Sequence, residues 1–291
     1  MNSSEQRSDM IGLIGTGLMG FPISERLLRE GYAVRVYNRT RSKAEPLTEY
    51  GAEIGENPGA VIGAANPVIL TLTDYPAIRA VLFNRQLKFQ DTTIIQMGTI
   101  APGESRELLA EIRERGGDYL EAPVLGNKHH ARDGELDIMV GCTDSQFTRW
   151  SPTLEVLGKA VRHVGPAGSA AALKLSLNQF IATLTASFGF SLRLAQENDV
   201  DTDLFLEALR ESPLYAAQYD KKLPRIQDSD YSDPNFPTRH LLKDLDLMID
   251  AGERAGISGS LLKGVREIME KAIEKGYGET DYSSLVEGLE D

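Results

Sequence analysis

A single cysteine, Cys142, is all the thiol chemistry the sequence carries, so no disulfide forms within the chain. This suits a reducing compartment such as the cytoplasm. Basic residues are in the minority, 31 against 43 acidic, and the formal net charge is −12. That balance disfavours binding to phosphate backbones, which needs clustered Lys and Arg, so no nucleic-acid partner is expected. No apolar run reaches membrane-spanning length, so no membrane partner is expected. The first nine residues, Met1 to Asp9, have neither the basic n-region nor the apolar h-region of a signal peptide and read as a frayed tail. Internal repeats and low-complexity tracts are absent as well.

What is present is an ordinary globular composition, 41% hydrophobic and 25% charged over 291 residues, long enough for two domains. The first half alternates short β-type runs with amphipathic helical stretches. The runs are Ile11 to Ile14, Ala33 to Tyr37, Pro67 to Leu72 and Thr93 to Met97, then Asp118 to Glu121, Leu136 to Gly141 and Val161 to Val164. Helical periods fall between them, for instance at Pro22 to Glu30 and Glu104 to Arg115. The early runs are almost continuously apolar, as buried parallel strands are. This predicts an α/β fold, a doubly wound parallel Rossmann sheet. Past Gly165-Pro166 the pattern becomes helical. Ser169 to about Asn198 reads as one helix of roughly 45 Å, and the rest as helices interrupted around Asp228 to Pro237. The division is a Rossmann domain over residues 1–164 and an all-α domain over residues 165–291, joined by a long interdomain helix.

Gly15-Thr16-Gly17-Leu18-Met19-Gly20 is a G-x-G-x-x-G that directly follows a strand and opens a helix. Gly15 permits the tight turn, Gly17 the approach of a pyrophosphate, and Gly20 close packing of helix on strand. The helix N-terminus then supplies N–H donors and a favourable dipole. The next strand ends at Asn38-Arg39-Thr40, where an NAD site usually carries an acidic residue for the ribose diol. A carboxylate repels a 2′-phosphate, whereas a guanidinium binds it in a charge-assisted way. The neutral Asn38 followed by Arg39, with Arg41 and Lys43 close behind, therefore points to NADPH; the competing reading is that Arg39 is a solvated surface charge.

Lys174 and Asn178 lie four residues apart near the start of the long helix and share a face. Reduction of a carbonyl by hydride builds negative charge on oxygen, and a positioned cation able to release a proton serves that step twice over. Taken alone, a helical lysine is surface charge more often than catalyst.

The order of motifs adds to this. The cofactor loop with Asn38-Arg39-Thr40 comes first. Glu121-Ala122-Pro123-Val124-Leu125-Gly126-Asn127 follows, continuing through Ala131-Arg132-Asp133-Gly134-Glu135-Leu136. Then come Gly168 to Asn178, and Phe236-Pro237 with Lys243-Asp244. From about Met10 to Leu289 this succession resembles the β-hydroxyacid dehydrogenase family, and within it the glyoxylate and succinic semialdehyde reductases. The resemblance implies that Lys174 donates the proton and that Asn178 holds it or the substrate. It implies a substrate site of Thr99, Leu125, Gly126, Asn127, Phe236 and Asp244. The implied cofactor set is Gly15, Gly17, Leu18, Met19, Gly20, Asn38, Arg39, Thr40, Leu72, Thr73, Thr99 and Lys243, with Lys243 by the nicotinamide. A homodimer or homotetramer is implied too. The expected substrate is a small carboxylate-bearing aldehyde or keto acid.

Two departures stand out. Leu125 occupies the usual serine of the Pro-Val-Ser-Gly run, and Gln96-Met97-Gly98-Thr99 replaces the usual Asp-Met-Ser-Thr. Each lost hydroxyl removes roughly 1 kcal/mol or more of hydrogen bonding to a carboxylate. The backbone N–H groups of Gly126 and Asn127, with the side chains of Asn127 and Lys128, are left to hold an anion. Leu125 favours a substrate longer or less polar than glyoxylate. An NAD-dependent 3-hydroxyisobutyrate-type dehydrogenase is disfavoured by Arg39. A weakened NADPH-binding module is disfavoured by the retained Lys174 and Asn178, and an imine reductase by Lys174. No metal site is expected: His129 and His130 read as a basic loop rim, and His163 and His240 as packing. Cys142 reads as packing too, Trp150 as an anchor of a helix on the sheet, and the C-terminal acids as a solvated face.

Overall fold

The computed structural model describes residues 10–83 and 87–290; the tail expected over Met1 to Asp9 lies outside them. The chain divides into two compact units, with the boundary between Lys174 and Leu175.

The first unit is built on strands β1 (Met10–Ile14), β2 (Ala33–Tyr37), β3 (Glu53–Ile54), β4 (Val68–Leu70), β5 (Thr93–Gln96), β6 (Asp118–Glu121), β7 (Val124–Leu125), β8 (Leu136–Gly141) and β9 (Gly158–Gly165). The helices between them are α1 (Gly20–Arg29), α2 (Pro58–Ile62), α3 (Tyr75–Leu82), α4 (Pro102–Glu114), α5 (Lys128–Asp133) and α6 (Asp144–Glu155). Strands β3-β2-β1-β4-β5-β6 lie side by side in that order, all parallel. This is the doubly wound arrangement the alternation predicts.

Side-chain alternation along β1 shows why both faces close. Ile11 and Leu13 join Ile23 and Leu27 of α1 in one apolar cluster. Ile14 joins Ile78 and Leu82 of α3 and Leu108 and Ile112 of α4 in another. Each such fully buried aliphatic side chain contributes about 1.5–3 kcal/mol. Trp150 of α6 belongs to the first cluster together with Leu136, Ile138 and Val140 of β8.

The sheet is not parallel throughout, which corrects the sequence expectation. β8 runs antiparallel to both β6 and β7, and β9 runs parallel to β8. Only the six-residue α5 and short turns link β7 to β8, less than the dozen or more residues a parallel crossover requires. β3 and β7 were not read from the sequence because two residues carry no periodicity.

Helix α7 (Ser169–Gln196) is 28 residues long, about 42 Å. It starts in the first unit and continues into the second. There α8 (Thr202–Glu211), α9 (Ala217–Gln227), α10 (Thr238–Arg254), α11 (Ser260–Ala272) and a terminal 3₁₀ segment (Tyr282–Leu289) follow. Leu175, Ala182 and Ala186 of α7 share a core with Leu241, Leu245 and Met248 of α10, Val265 and Met269 of α11, and Leu285 and Val286. The Lys222 ammonium lies 2.7 Å from Asp281 in a buried ion pair that ties α9 to the terminal segment. Among the described residues no helix is long and apolar enough to cross a membrane.

Candidate active site

The chain leaves β1 at Ile14 and turns through Gly15 to Gly20 into α1. Gly15 has φ +104°, in the left-handed region that only glycine adopts without cost. Its N–H donates to the Tyr37 carbonyl at 2.8 Å. A Cβ at Gly20 would collide with the Gly15 carbonyl oxygen, whereas one at Gly17 would meet nothing within 4 Å. The three glycines thus have three different jobs, and the open space lies at Gly17, in front of the α1 N-terminus. Leu18 beside it is 37% exposed, and Met19 packs on the first apolar cluster.

Asn38 shapes this loop. Its Oδ1 accepts the Thr16 N–H at 3.1 Å and its Nδ2 donates to the Thr40 carbonyl at 2.9 Å. Arg41 is engaged with Glu45 at 3.1 Å. Arg39 and Thr40 are exposed, and Arg39 makes no hydrogen bond or ion pair with another described residue. Leu72 and Thr73 follow β4, and Thr99 follows β5. All of these predicted cofactor residues therefore stand at carboxyl ends of parallel strands, on either side of the point between β1 and β4 where strand order reverses. Ligands of such sheets bind there.

Lys174 is half-buried, and its Nζ donates to the Val124 carbonyl at 2.7 Å. The ammonium is thus turned in against the predicted substrate segment. Leu125, next in β7, is half-buried opposite Asp137 of β8. Gly126 has φ +138°. Asn127 has a role the sequence reading did not include: its Oδ1 accepts the N–H groups of His129 and His130 at 2.9 and 3.2 Å, and its own N–H donates to His130 Nδ1 at 3.2 Å. A helix start leaves N–H groups that need acceptors, and Asn127 caps α5. Its backbone N–H and side-chain oxygen are thereby bonded within the chain. His129 and His130 belong to the first turn of α5 and not to a loop.

Gly98 is also more than a lost hydroxyl. A Cβ there would stand 2.7 Å from the Leu72 carbonyl oxygen and 3.1 Å from Gln96 Nε2. A serine at this position cannot enter without a backbone shift. Both amide atoms of the buried Gln96 lack a hydrogen-bond partner among the described residues.

Sequence reading missed the part played by Glu121, the last residue of β6. It is 1% exposed. Its Oε1 accepts the N–H groups of Gly168, Ala170 and Ala171 at 2.8, 2.8 and 3.1 Å. Oε2 accepts the Ser105 hydroxyl, which also bonds the Tyr119 hydroxyl at 2.8 Å. Burial pushes the Glu121 carboxyl pKa up, against the downward pull of Ser105 and the three amides. The available signal was an acid at the last position of β6, following Tyr119 and Leu120. Cys142 is buried, and burial pushes its thiol up to about 11, which leaves it inert as a nucleophile.

Within the second unit, Asn178, Asp244 and Lys243 come together. Asn178 Nδ2 donates to Asp244 Oδ2 at 2.9 Å, and Lys243 Nζ lies 2.8 Å from Asp244 Oδ1. The carboxylate fixes which way the amide faces. The buried Asn178 Oδ1 then has no partner among the described residues. Asn178 follows Lys174 by four residues in the sequence. Phe236, just before α10, meets Tyr282 edge-on at 6.0 Å.

Residues 10–165 match the family described as the NAD binding domain of 6-phosphogluconate dehydrogenase. Residues 168–289 match the one described as NAD-binding of NADP-dependent 3-hydroxyisobutyrate dehydrogenase. The chain is 31% identical over 283 residues to glyoxylate/succinic semialdehyde reductase 1 of Arabidopsis thaliana, covering 96% of this chain and 98% of that protein. It is 28% identical over 288 residues to 2-hydroxy-3-oxopropionate reductase of Escherichia coli (strain K12), covering 96% and 97%. The solved structure of Mycobacterium tuberculosis 3-hydroxyisobutyrate dehydrogenase with L-serine has a TM-score of 0.88 at 24% identity, covering 98% of this chain and all of that one. This last likeness is one of fold.

The contrast between two glycines of the loop is directly testable. Gly17→Ala should leave the melting temperature unchanged and weaken dinucleotide binding, measured by fluorescence titration. Gly20→Ala should destabilise the fold itself, by about 1–3 kcal/mol in chemical denaturation, as overpacking does.

Proposed function

The chain belongs to the β-hydroxyacid dehydrogenase family, oxidoreductases that act on CH–OH and carbonyl groups with a nicotinamide cofactor, and from that premise we propose that it is an NADPH-dependent reductase of small carbonyl acids of the succinic semialdehyde or glyoxylate type. The observation that carries the reading is the Lys174 ammonium, held against the Val124 carbonyl next to Leu125 and Gly126 and not directed into solvent. The residues present fit the cofactor. Gly17 leaves room at a helix N-terminus for a pyrophosphate, and Arg39 offers an uncommitted guanidinium to a 2′-phosphate. No acid at position 38 opposes that phosphate.

Bound NADPH supplies the hydride. The step uses Lys174 in its ammonium form. That group donates a hydrogen bond to the substrate carbonyl oxygen, stabilises the negative charge that grows there, and passes its proton to the nascent alkoxide. A hydroxy acid and a neutral amine result. Asn178, oriented by Asp244, contributes an acceptor. Leu125 makes the substrate segment more apolar than a serine would and favours succinic semialdehyde over glyoxylate. Beyond the unit boundary α7 exposes Leu177, Phe180, Phe190 and Leu194 along one side, which supports assembly into a homodimer or homotetramer.

An NADPH-oxidation panel over aldehydes, keto acids and cyclic imines should show turnover with the carbonyl acids. Lys174→Ala should lower it by about 10²–10⁴-fold, the usual worth of a general acid; turnover untouched by that change rules out the mechanism. Arg39→Asp should move the NADPH-to-NADH ratio of kcat/KM towards NADH by about tenfold or more, the worth of one charged hydrogen bond. Leu125→Ser should raise kcat/KM for glyoxylate relative to succinic semialdehyde by about fivefold, the worth of one hydroxyl contact. A wild type that already prefers glyoxylate strongly defeats the assignment of Leu125.

A further inference from the structure

We propose that Glu121 is a positioning residue for Lys174: its carboxylate holds the first turn of α7 to the end of β6 and so sets where the ammonium stands. The inference rests on Lys174 being the proton donor, as read above.

Helices α2 and α3 of the first unit are capped locally. Asn57 and Asp74 each accept an N–H three residues further on, at 3.0 and 2.8 Å. The start of α7 is served differently. Its donors at Gly168, Ala170 and Ala171 converge on one oxygen of a residue 47 to 50 positions earlier in the chain. A local cap fixes only the helix end, whereas this one fixes the helix against a particular strand.

The consequence reaches Lys174 through helix geometry. Lys174 follows Ala170 and Ala171 by four and three residues and therefore shares their face. Its Nζ bonds the Val124 carbonyl, three residues after Glu121. The segment from Glu121 to Val124 thus grips α7 twice, at its backbone start and at its ammonium. Neither carboxylate oxygen is free to drift, since Oε2 is engaged by Ser105. Gly141 across the β6–β8 pair makes room for it, because a Cβ there would collide with the carboxylate. A buried carboxylate is costly to keep unless hydrogen-bonded throughout, and this one has four donors.

Three variants test this. Glu121→Ala removes the acceptor, Glu121→Asp retracts it by one methylene, and Glu121→Gln leaves an oxygen in place without charge. Misplacing a catalytic group by about an ångström costs up to about a hundredfold, so Glu121→Ala and Glu121→Asp should lower kcat about ten- to a hundredfold with KM for NADPH within about twofold. Glu121→Gln should recover most of that loss. In the first two, proton transfer becomes slower than the other steps and the solvent deuterium isotope effect on kcat should rise above that of wild type. Acylation of Lys174 by acetic anhydride, followed by mass spectrometry, should be faster than in wild type and gives a readout independent of turnover. If Glu121→Ala does not accumulate folded, the Asp and Gln pair decides the matter alone. A Glu121→Asp enzyme with wild-type kcat, isotope effect and labelling rate overturns the proposal. A wild type that reduces no carbonyl acid overturns the functional reading instead, and the labelling comparison still reports whether Glu121 holds Lys174.

Discussion

Every helix starts with backbone N–H groups that need acceptors, and in α7 three such donors are satisfied by the buried carboxylate of Glu121 at the end of β6. Much of the site follows from that contact. The strand ends are fixed by two apolar clusters packed on the faces of the sheet. With the helix start tied to one of those ends, a lysine on its second turn acquires a defined place beside the Val124 carbonyl. A flexible four-carbon side chain is thereby held in one direction.

The polar residues around the cofactor and substrate segments divide into those that shape loops and those left available to a ligand. Asn38 and Asn127 belong to the first kind, because their amides or backbone groups are already bonded within the protein. Arg39 belongs to the second. The division explains how a loop of small residues can be rigid and still present a guanidinium to solvent. It also separates the two departures from the family pattern. Gly98 lies where the chain leaving β5 passes close to the Leu72 carbonyl, so its lack of a side chain is built into the backbone path. Leu125 is a half-buried side chain of β7 and is under no such backbone constraint.

Much of this was legible beforehand. Apolar runs at strand length and helical periods between them announced the Rossmann unit, and the shift of pattern past Gly165 announced the helices. The glycine spacing located the turn from β1 into α1, where Gly15 and Gly20 answer local backbone demands. Asn38 and Arg39 spoke through charge alone. The two-residue strands were not legible, since periodicity needs more residues than they have. Nor was the reversal of β8, which depends on how short a connection can be. The roles of Asn127 and Glu121 were hidden for a related reason: both are acceptors whose donors are known only once a helix start has been placed beside them.

The sequence by itself determined which segments become the longer strands and helices, and that a glycine turn leads from β1 into α1. Those properties depend on residues near one another along the chain. Tertiary structure alone decided that Glu121 meets residues 47 to 50 positions away, that Asp244 orients Asn178 from 66 positions away, and that the Gly98 backbone runs against Leu72. Hydrogen bonds and close contacts act over about 3 Å, and separation in sequence says nothing about which groups folding will bring within that range.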